Sequence, residues 1–500
     1  MRFGRGGSRT APALLALAIA AGCSHAAPAT TPKPNAGAER ALRADLERIF
    51  NAPLTAQALW GVQIKSLESG RVLYSRNPAT LLMPASNMKI VTLAAAAEAL
   101  GWDHRFRTTL ESSGTIESGT LKGDLIARGG GDPTINKRDN RAAAIFDQWA
   151  AALKAAGITR IEGNVVGDAS AFGGSGLGQG WSWDYLQDGY AAPVGALEYN
   201  ENTATLTVRP GAAPGDDAVM ELPPSSGLGL MHHVITGAAG SRMAIDVERP
   251  DGAWLDVIGS IAVDAQPFTR EVAVSKPALY FAHSLLRALV ERGIDVRGLP
   301  VELRESKNAL APLPRQVLAE TSSPPLREIA VTMMKVSQNL YAETLLKAIG
   351  AIQGQPATAE RGRAAARAIF TRWNIAPGSY VQADGSGLSR YDYVTPEMIV
   401  RLLERLHGDP RHRDAFVATL PIAGKDGTIS TRMRATRADA NAVAKTGSIS
   451  NVRALSGYVR TRDGELLAFS ILANNFTIPA ATVNWMTDLA VETLANHTNR

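Results

Sequence analysis

Ser86 and Lys89 stand three residues apart in Pro84-Ala85-Ser86-Asn87-Met88-Lys89, just ahead of an apolar run from Ile90 to Leu100. Three residues is nearly one helical turn, so the hydroxyl and the amine share one face of the helix that the run predicts. A hydroxyl held beside an amine in a dry pocket is a nucleophile with its own base. That base must be neutral, and a free lysine is neutral in only about one molecule in 2,500 at pH 7. Desolvation and a second cation both lower a lysine pKa. Two distant fragments complete the set, Ser337-Gln338-Asn339 and Lys445-Thr446-Gly447-Ser448. Lys445 would be the second cation, Ser337 a relay towards a leaving group, and Asn339 an amide that orients a substrate amide. The stretch from Lys445 to Ser448 predicts an edge strand beside which an extended peptide can lie. Gly447 permits close backbone approach. Thr446, Ser448 and Lys445 offer hydroxyls and charge to a terminal carboxylate. The backbone N–H groups of Ser86 and Ser448 are the candidate oxyanion hole.

These residues need elements from both ends of the chain to bring them together. Trp60 to Leu67 and Arg71 to Tyr74, split by Glu68-Ser69-Gly70, predict a hairpin just before Ser86. Val452 to Arg460 and Leu466 to Asn474 flank the turn signal Arg462-Asp463-Gly464-Glu465 and predict a second. Helices are expected at Ala41 to Phe50 and Val483 to Ala495, and strands and helices at both termini suit one mixed sheet. Helical spacing from Pro325 to Ile349 puts Ser337 in a helical layer, and Thr395-Pro396-Glu397 is a helix start. In the middle, Phe106 to Asp124 and Ile161 to Val166 read as strands, and Ala142 to Ala156 and Ser275 to Arg292 as helices. Thr203 to Arg209, Val219 to Leu222, Met243 to Val247 and Trp254 to Val263 read as short strands of small β-rich units.

At 500 residues, two or three domains are expected. An apolar content of 45% with 20% charged residues is that of a globular chain with ample core. The first 22 residues read as a signal peptide: Arg2, Arg5 and Arg9, then Ala11 to Ala21, too short for a comfortable membrane span. Without those three arginines the net charge of +5 falls to +2, and no basic run points to nucleic acid. Cys23, the single cysteine, follows Ala20-Ala21-Gly22 in a pattern like a bacterial lipoprotein box, which would put a lipid on Cys23 and anchor the chain to a membrane. Cleavage near Ala26 would instead release a soluble periplasmic protein. Either way export to the periplasm or cell envelope is expected, with residues 23–40 as a tether rich in Ala, Thr and Pro.

Taken singly, each short motif is weak; their order, the helix after Ser86 and the strand after Gly447 make them specific. Ser86 to Ser337 spans 251 residues and Ser337 to Lys445 spans 108. In these motifs and gaps the chain resembles the low-molecular-mass class C penicillin-binding proteins, the D-alanyl-D-alanine carboxypeptidase/endopeptidase family. A serine β-lactamase has a far shorter first gap. Further fragments are similar to the family's: Asp384-Gly385-Ser386-Gly387-Leu388-Ser389, Leu420 to Thr428, Gly129 to Pro133, and Gly163 to Asp168. Gln338 stands where the family usually has Asp, at the position without a chemical role.

The resemblance implies an α/β multidomain fold, with a penicillin-binding, serine β-lactamase-like catalytic domain of a helical layer plus a mixed sheet. That domain is expected from residues 41–107 and 319–500, and an inserted β-rich region of one or two subdomains from residues 108–318. The implied chemistry is acylation of Ser86 by the penultimate D-Ala of a peptidoglycan stem peptide, release of the terminal D-Ala, then hydrolysis, without metal or cofactor. β-Lactams would acylate the same serine, and cross-link endopeptidase activity is implied as well. By motif, Asp168 is implied to reach the diaminopimelate side chain of the stem peptide. Competing readings are a β-lactamase or esterase on this fold, or a non-catalytic wall-binding lipoprotein. His232-His233 has no third ligand at a useful spacing, so no metal site is expected.

Overall fold

The computed structural model describes residues 36–305, 314–351 and 353–499. The expected signal peptide, Cys23 and most of the expected tether lie outside them. Helix α1 (Ala36–Phe50) starts inside the expected tether, because Ala36, Ala38, Glu39 and Arg40 are strong helix formers. It buries Leu42, Leu46, Ile49 and Phe50. Strands β1 (Leu59–Ser66) and β2 (Val72–Arg76) form the expected antiparallel hairpin. A single 3₁₀ turn, Ala85–Asn87, carries Ser86 into α2 (Met88–Leu100). Every residue of α2 from Met88 to Ala97 is buried, so the helix runs through the core rather than over it.

The chain then leaves this unit. Strands β3 (Arg107–Glu117) and β4 (Thr120–Arg128) form a hairpin where one strand was expected. Ser118 and Gly119 turn it with φ of 46° and 81°, a reversal carrying no Asn-Gly signal. After α3 (Arg141–Ala155), the expected Ile161–Val166 strand is two pieces, β5 (Arg160–Ile161) and β6 (Val165–Asp168). Strands β7 (Thr203–Arg209), β8 (Val219–Glu221), β9 (Gly229–Gly237), β10 (Ala244–Asp251), β11 (Trp254–Ala262) and β12 (Phe268–Ala273) build two three-stranded sheets around one small core. Helix α4 (Pro277–Glu291), β13 (Asp295–Val296), β14 (Pro300–Glu302) and β15 (Arg315–Ser322) return to the first sheet, where α3 and α4 cover a second core. Two cores mean two subdomains. The first sheet runs from Arg107 to Ser322, so its closing strand passes the expected end at 318 by four residues.

Back in the first unit come the helices Leu326–Lys335, Asn339–Ala348 and Ala359–Arg372, then a short β-ladder, β16 (Tyr380–Val381) with β17 (Tyr393–Val394). The helix Pro396–Gly408 starts as expected, with the Thr395 hydroxyl accepting from Met398 N at 3.1 Å. Strands β18 (Val443–Ile449), β19 (Val452–Arg460) and β20 (Leu466–Asn474) lead to the closing helix Ala480–Asn496. The five-stranded sheet has the order β18-β19-β20-β1-β2. Chain start and chain end therefore share one sheet, as expected, but its pairs are all antiparallel rather than mixed. Strand alternation divides its two faces. Ala454 and Tyr458 face a core shared with α2 and the middle helices. Leu455 and Val459 face a core shared with α1 and the closing helix.

Candidate active site

The helical layer expected from Pro325 to Ile349 is two helices, with a break before the second fragment. The first helix stops at Lys335, and Ser337 adopts a left-handed φ of 62°. A non-glycine residue is uncommon in that region, and apolar spacing carries no sign of it. Gln338 then caps the next helix, its Oε1 accepting from Leu340 N at 3.1 Å, while its Nε2 donates to Glu201 Oε2 at 2.6 Å. The residue that departs from the family pattern thus caps a helix and ties it to the inserted region.

The three fragments meet. Lys89 Nζ lies 2.9 Å from Ser86 Oγ and donates to Asn339 Oδ1 at 2.6 Å and to the Ser386 carbonyl at 2.9 Å. Lys445 Nζ donates to Ser337 Oγ at 2.9 Å and to the Thr446 carbonyl at 2.9 Å. Both lysines are fully buried. Burial pushes Lys89 down to about 7, against the pull of Asp384, Glu343 and Asp392. Burial, and then repulsion from Lys89, hold Lys445 well below the usual lysine range. Desolvation is the leading cause at both amines. Repulsion between the two lysines acts on Lys445, where Lys89 lowers it, rather than on Lys89 as expected.

Lys445 lies on the sheet edge, as expected. Asn87 Nδ2 donates to the Lys445 carbonyl at 2.9 Å and locks the Ser86 turn to that strand. A Cβ built on Gly447 would sit 2.4 Å from the Pro84 carbonyl and 3.2 Å from Ser86 N. Any side chain there must push the edge strand off the serine turn. Gly447→Ala is accordingly expected to slow penicillin acylation about a hundredfold, the scale for misplacing reacting groups by about 1 Å. Stopped-flow labelling measures it, and an unchanged rate would mean the strand is not held against Ser86.

A cavity of about 420 Å³ opens over these groups, lined by Ser86, Ser337, Asn339, Thr446 and Ser448. Leu388 and Thr428, from two of the family-like fragments, line it too, as do Tyr185 and Tyr190, which sequence reasoning missed. Tyr185 and Tyr190 pack edge to face at 5.8 Å in the inserted region, and the Tyr190 carbonyl accepts from Asn339 Nδ2 at 2.8 Å. Asn339 thus holds the lysine and the inserted region at once, besides facing the cavity. Thr428 Oγ1 lies 2.7 Å from Thr446 Oγ1. The aromatic cluster Trp181-Ser182-Trp183-Asp184-Tyr185 was the available signal for the inserted rim.

Asp168 is not brought to this cavity. It is 2% exposed on β6, with Oδ2 at 3.1 Å from Arg315 and Oδ1 accepting from Ser170 N at 2.9 Å.

The matched family model covers residues 42–495 and is described as the D-Ala-D-Ala carboxypeptidase 3 (S13) family. A D-alanyl-D-alanine carboxypeptidase of an Actinomadura species is 33% identical over 95% of this chain and 89% of its own length. The chain belongs to this family of D-Ala-D-Ala carboxypeptidases. Another relative, a D-alanyl-D-alanine carboxypeptidase of Haemophilus influenzae, is 31% identical over 83% of this chain and 85% of its own. Penicillin binding protein 4 of Haemophilus influenzae superposes with a TM-score of 0.79 at 28% identity, covering 90% of this chain and 99% of that one. A second structure of that protein, complexed with a β-lactam, matches with a TM-score of 0.74 at 28% identity over 91% and 99% of the two chains. The fold of a penicillin-binding protein is therefore common to this chain and that protein.

Proposed function

We propose that this chain is a serine-type D-Ala-D-Ala carboxypeptidase that works on peptidoglycan stem peptides through an acyl-enzyme at Ser86. One observation carries the reading: a buried lysine amine, lowered to about 7, lies 2.9 Å from the Ser86 hydroxyl. Neutral Lys89 takes the hydroxyl proton as Ser86 Oγ attacks the carbonyl carbon of the penultimate D-Ala. The oxyanion is received by the N–H groups of Ser86 and Ser448. Ser337, bonded to Lys445, passes a proton to the departing D-Ala amine. Thr446, Ser448 and Lys445 hold the terminal carboxylate. Water then attacks the ester carbonyl and frees Ser86. β-Lactams acylate the same oxygen, because their strained amide occupies the place of the scissile one. Cleavage of cross-links, where the departing amine belongs to a second stem peptide, needs only an open exit for that strand.

Release of D-Ala from a synthetic peptide ending in D-Ala-D-Ala, followed with a coupled amino-acid oxidase, tests the reading. Turnover that Ser86→Ala abolishes is expected. Fast penicillin hydrolysis with no D-Ala released would instead favour a β-lactamase. The exported, lipid-anchored form proposed from Cys23 predicts palmitate labelling that Cys23→Ser removes. Among the described residues no helix is long and apolar enough to cross a membrane.

A further inference from the structure

Three carboxylates that take no step in this reaction lie beneath the catalytic lysine. Glu343, Asp384 and Asp392 are each less than 5% exposed. Between them they hold the backbone of one loop. Asp392 Oδ1 accepts from Ala383 N at 2.6 Å and Asp384 N at 3.3 Å. Glu343 accepts from Gly385 N at 2.9 Å and Ser386 N at 2.8 Å. Asp384 accepts from Gly387 N at 2.6 Å and Ser389 N at 2.8 Å. A run of N–H groups turned inward onto carboxylates leaves the loop's carbonyls facing away. One of these, Ser386 O, is the carbonyl that accepts from Lys89 Nζ. The loop also abuts the nucleophile's own turn. Gly387 has φ of 83°, and a Cβ there would lie 1.8 Å from the Ala85 carbonyl.

The chemistry of an amine makes that carbonyl matter. A neutral lysine has two N–H donors and one lone pair. Lys89 Nζ has three oxygen partners, of which Asn339 Oδ1 and Ser386 O can only accept. They take the two N–H groups, and the lone pair is left for the Ser86 hydroxyl. Without the Ser386 carbonyl the amine can rotate and offer an N–H to Ser86, which is the wrong polarity for a base. The loop is also tied to the inserted region, because the Trp181 indole Nε1 donates to Asp384 Oδ2 at 2.8 Å.

We propose that Glu343 and Asp384 are positioning residues for acylation: they wind residues 383–389 so that the Ser386 carbonyl orients the Lys89 lone pair onto Ser86, and Trp181 secures that loop from the inserted region. The inference rests on the reading of Ser86 and Lys89 as nucleophile and base. Titratable groups facing Lys89 are Asp384, Glu343 and Asp392 beneath it, with burial raising Asp392 and pushing Glu343 up to about 8, and Lys445 on β18, which burial lowers. The three acids raise its pKa, so removing the Asp384 charge favours the neutral amine at lower pH.

The test compares Asp384→Asn, Glu343→Gln and Trp181→Phe with the unaltered full chain, by penicillin acylation rate across pH, kcat and KM on a D-Ala-D-Ala peptide, and thermal unfolding. Asp384→Asn puts an amide N–H₂ against the Ser389 and Trp181 donors, and about a hundredfold slower acylation is expected. Its acid limb moves to lower pH. Trp181→Phe removes one charge-assisted bond, and about a tenfold lower kcat with unchanged KM is expected. Glu343→Gln keeps one acceptor oxygen and should fall between them. Folded variants with unaltered rates and an unshifted acid limb overturn the proposal. If Asp384→Asn does not fold, Trp181→Phe decides alone: an unchanged kcat overturns the proposal. Labelling that persists in Ser86→Ala would sink the underlying reading instead, which separates the two failures.

Discussion

Ser86→Ala is expected to abolish penicillin acylation and to lower D-Ala release by about ten-thousandfold or more, the scale seen when a covalent nucleophile is removed. Ser337 Oγ is engaged by Lys445, and Thr446 Oγ1 by Thr428. Neither is bonded to the Lys89 amine. The fold has little reason to respond, because among the described residues Ser86 Oγ bonds the lysine alone and the 3₁₀ turn is held by backbone and by Asn87. Circular dichroism and the unfolding midpoint should match those of the unaltered chain. Intact mass after incubation with penicillin then measures the loss directly.

Lys89→Met should cost nearly as much. It keeps the buried volume and removes the base, and about a thousandfold to ten-thousandfold slower acylation is expected from losing a positioned general base. The pH profile separates a lost base from a distorted pocket. Lys89 acts when neutral and is lowered to about 7, so the unaltered chain should gain rate as pH rises through about 7 and level off above it. Protonation below that value takes the lone pair away. In Lys89→Met that acid limb should vanish, leaving a small rate that no longer changes there. A limb that survives in Lys89→Met would belong to another group.

What the sequence makes legible follows from how local each signal is. Ser86 and Lys89 could be paired from spacing alone, because helical geometry is set by neighbours. The two hairpins of the central sheet were legible for the same reason, through alternation and the turn at Arg462-Asp463-Gly464-Glu465. That Lys445 joins Lys89 came from charge logic and the family's motifs. Ser337 was recognised, but its helix break was not, since a left-handed residue leaves no periodic trace. The β3–β4 hairpin hid for a similar reason, as Ser118-Gly119 is a weak turn signal. The pairing of Asp168 with Arg315 is a tertiary fact that no local pattern announces. Tyr190 and Glu343 reach the site only through folding, from an inserted subdomain and the buried side of a helix. No local pattern could have shown Tyr190 against Asn339 or Glu343 near Lys89.

The most direct measurement is intact-protein and peptide mass spectrometry of the chain after labelling with penicillin near neutral pH, beside Ser86→Ala. The account predicts one lasting adduct, located on the peptide that carries Ser86, formed faster above pH 7 than below it, and absent from the variant. An adduct on any other residue, or one that persists in Ser86→Ala, would contradict it.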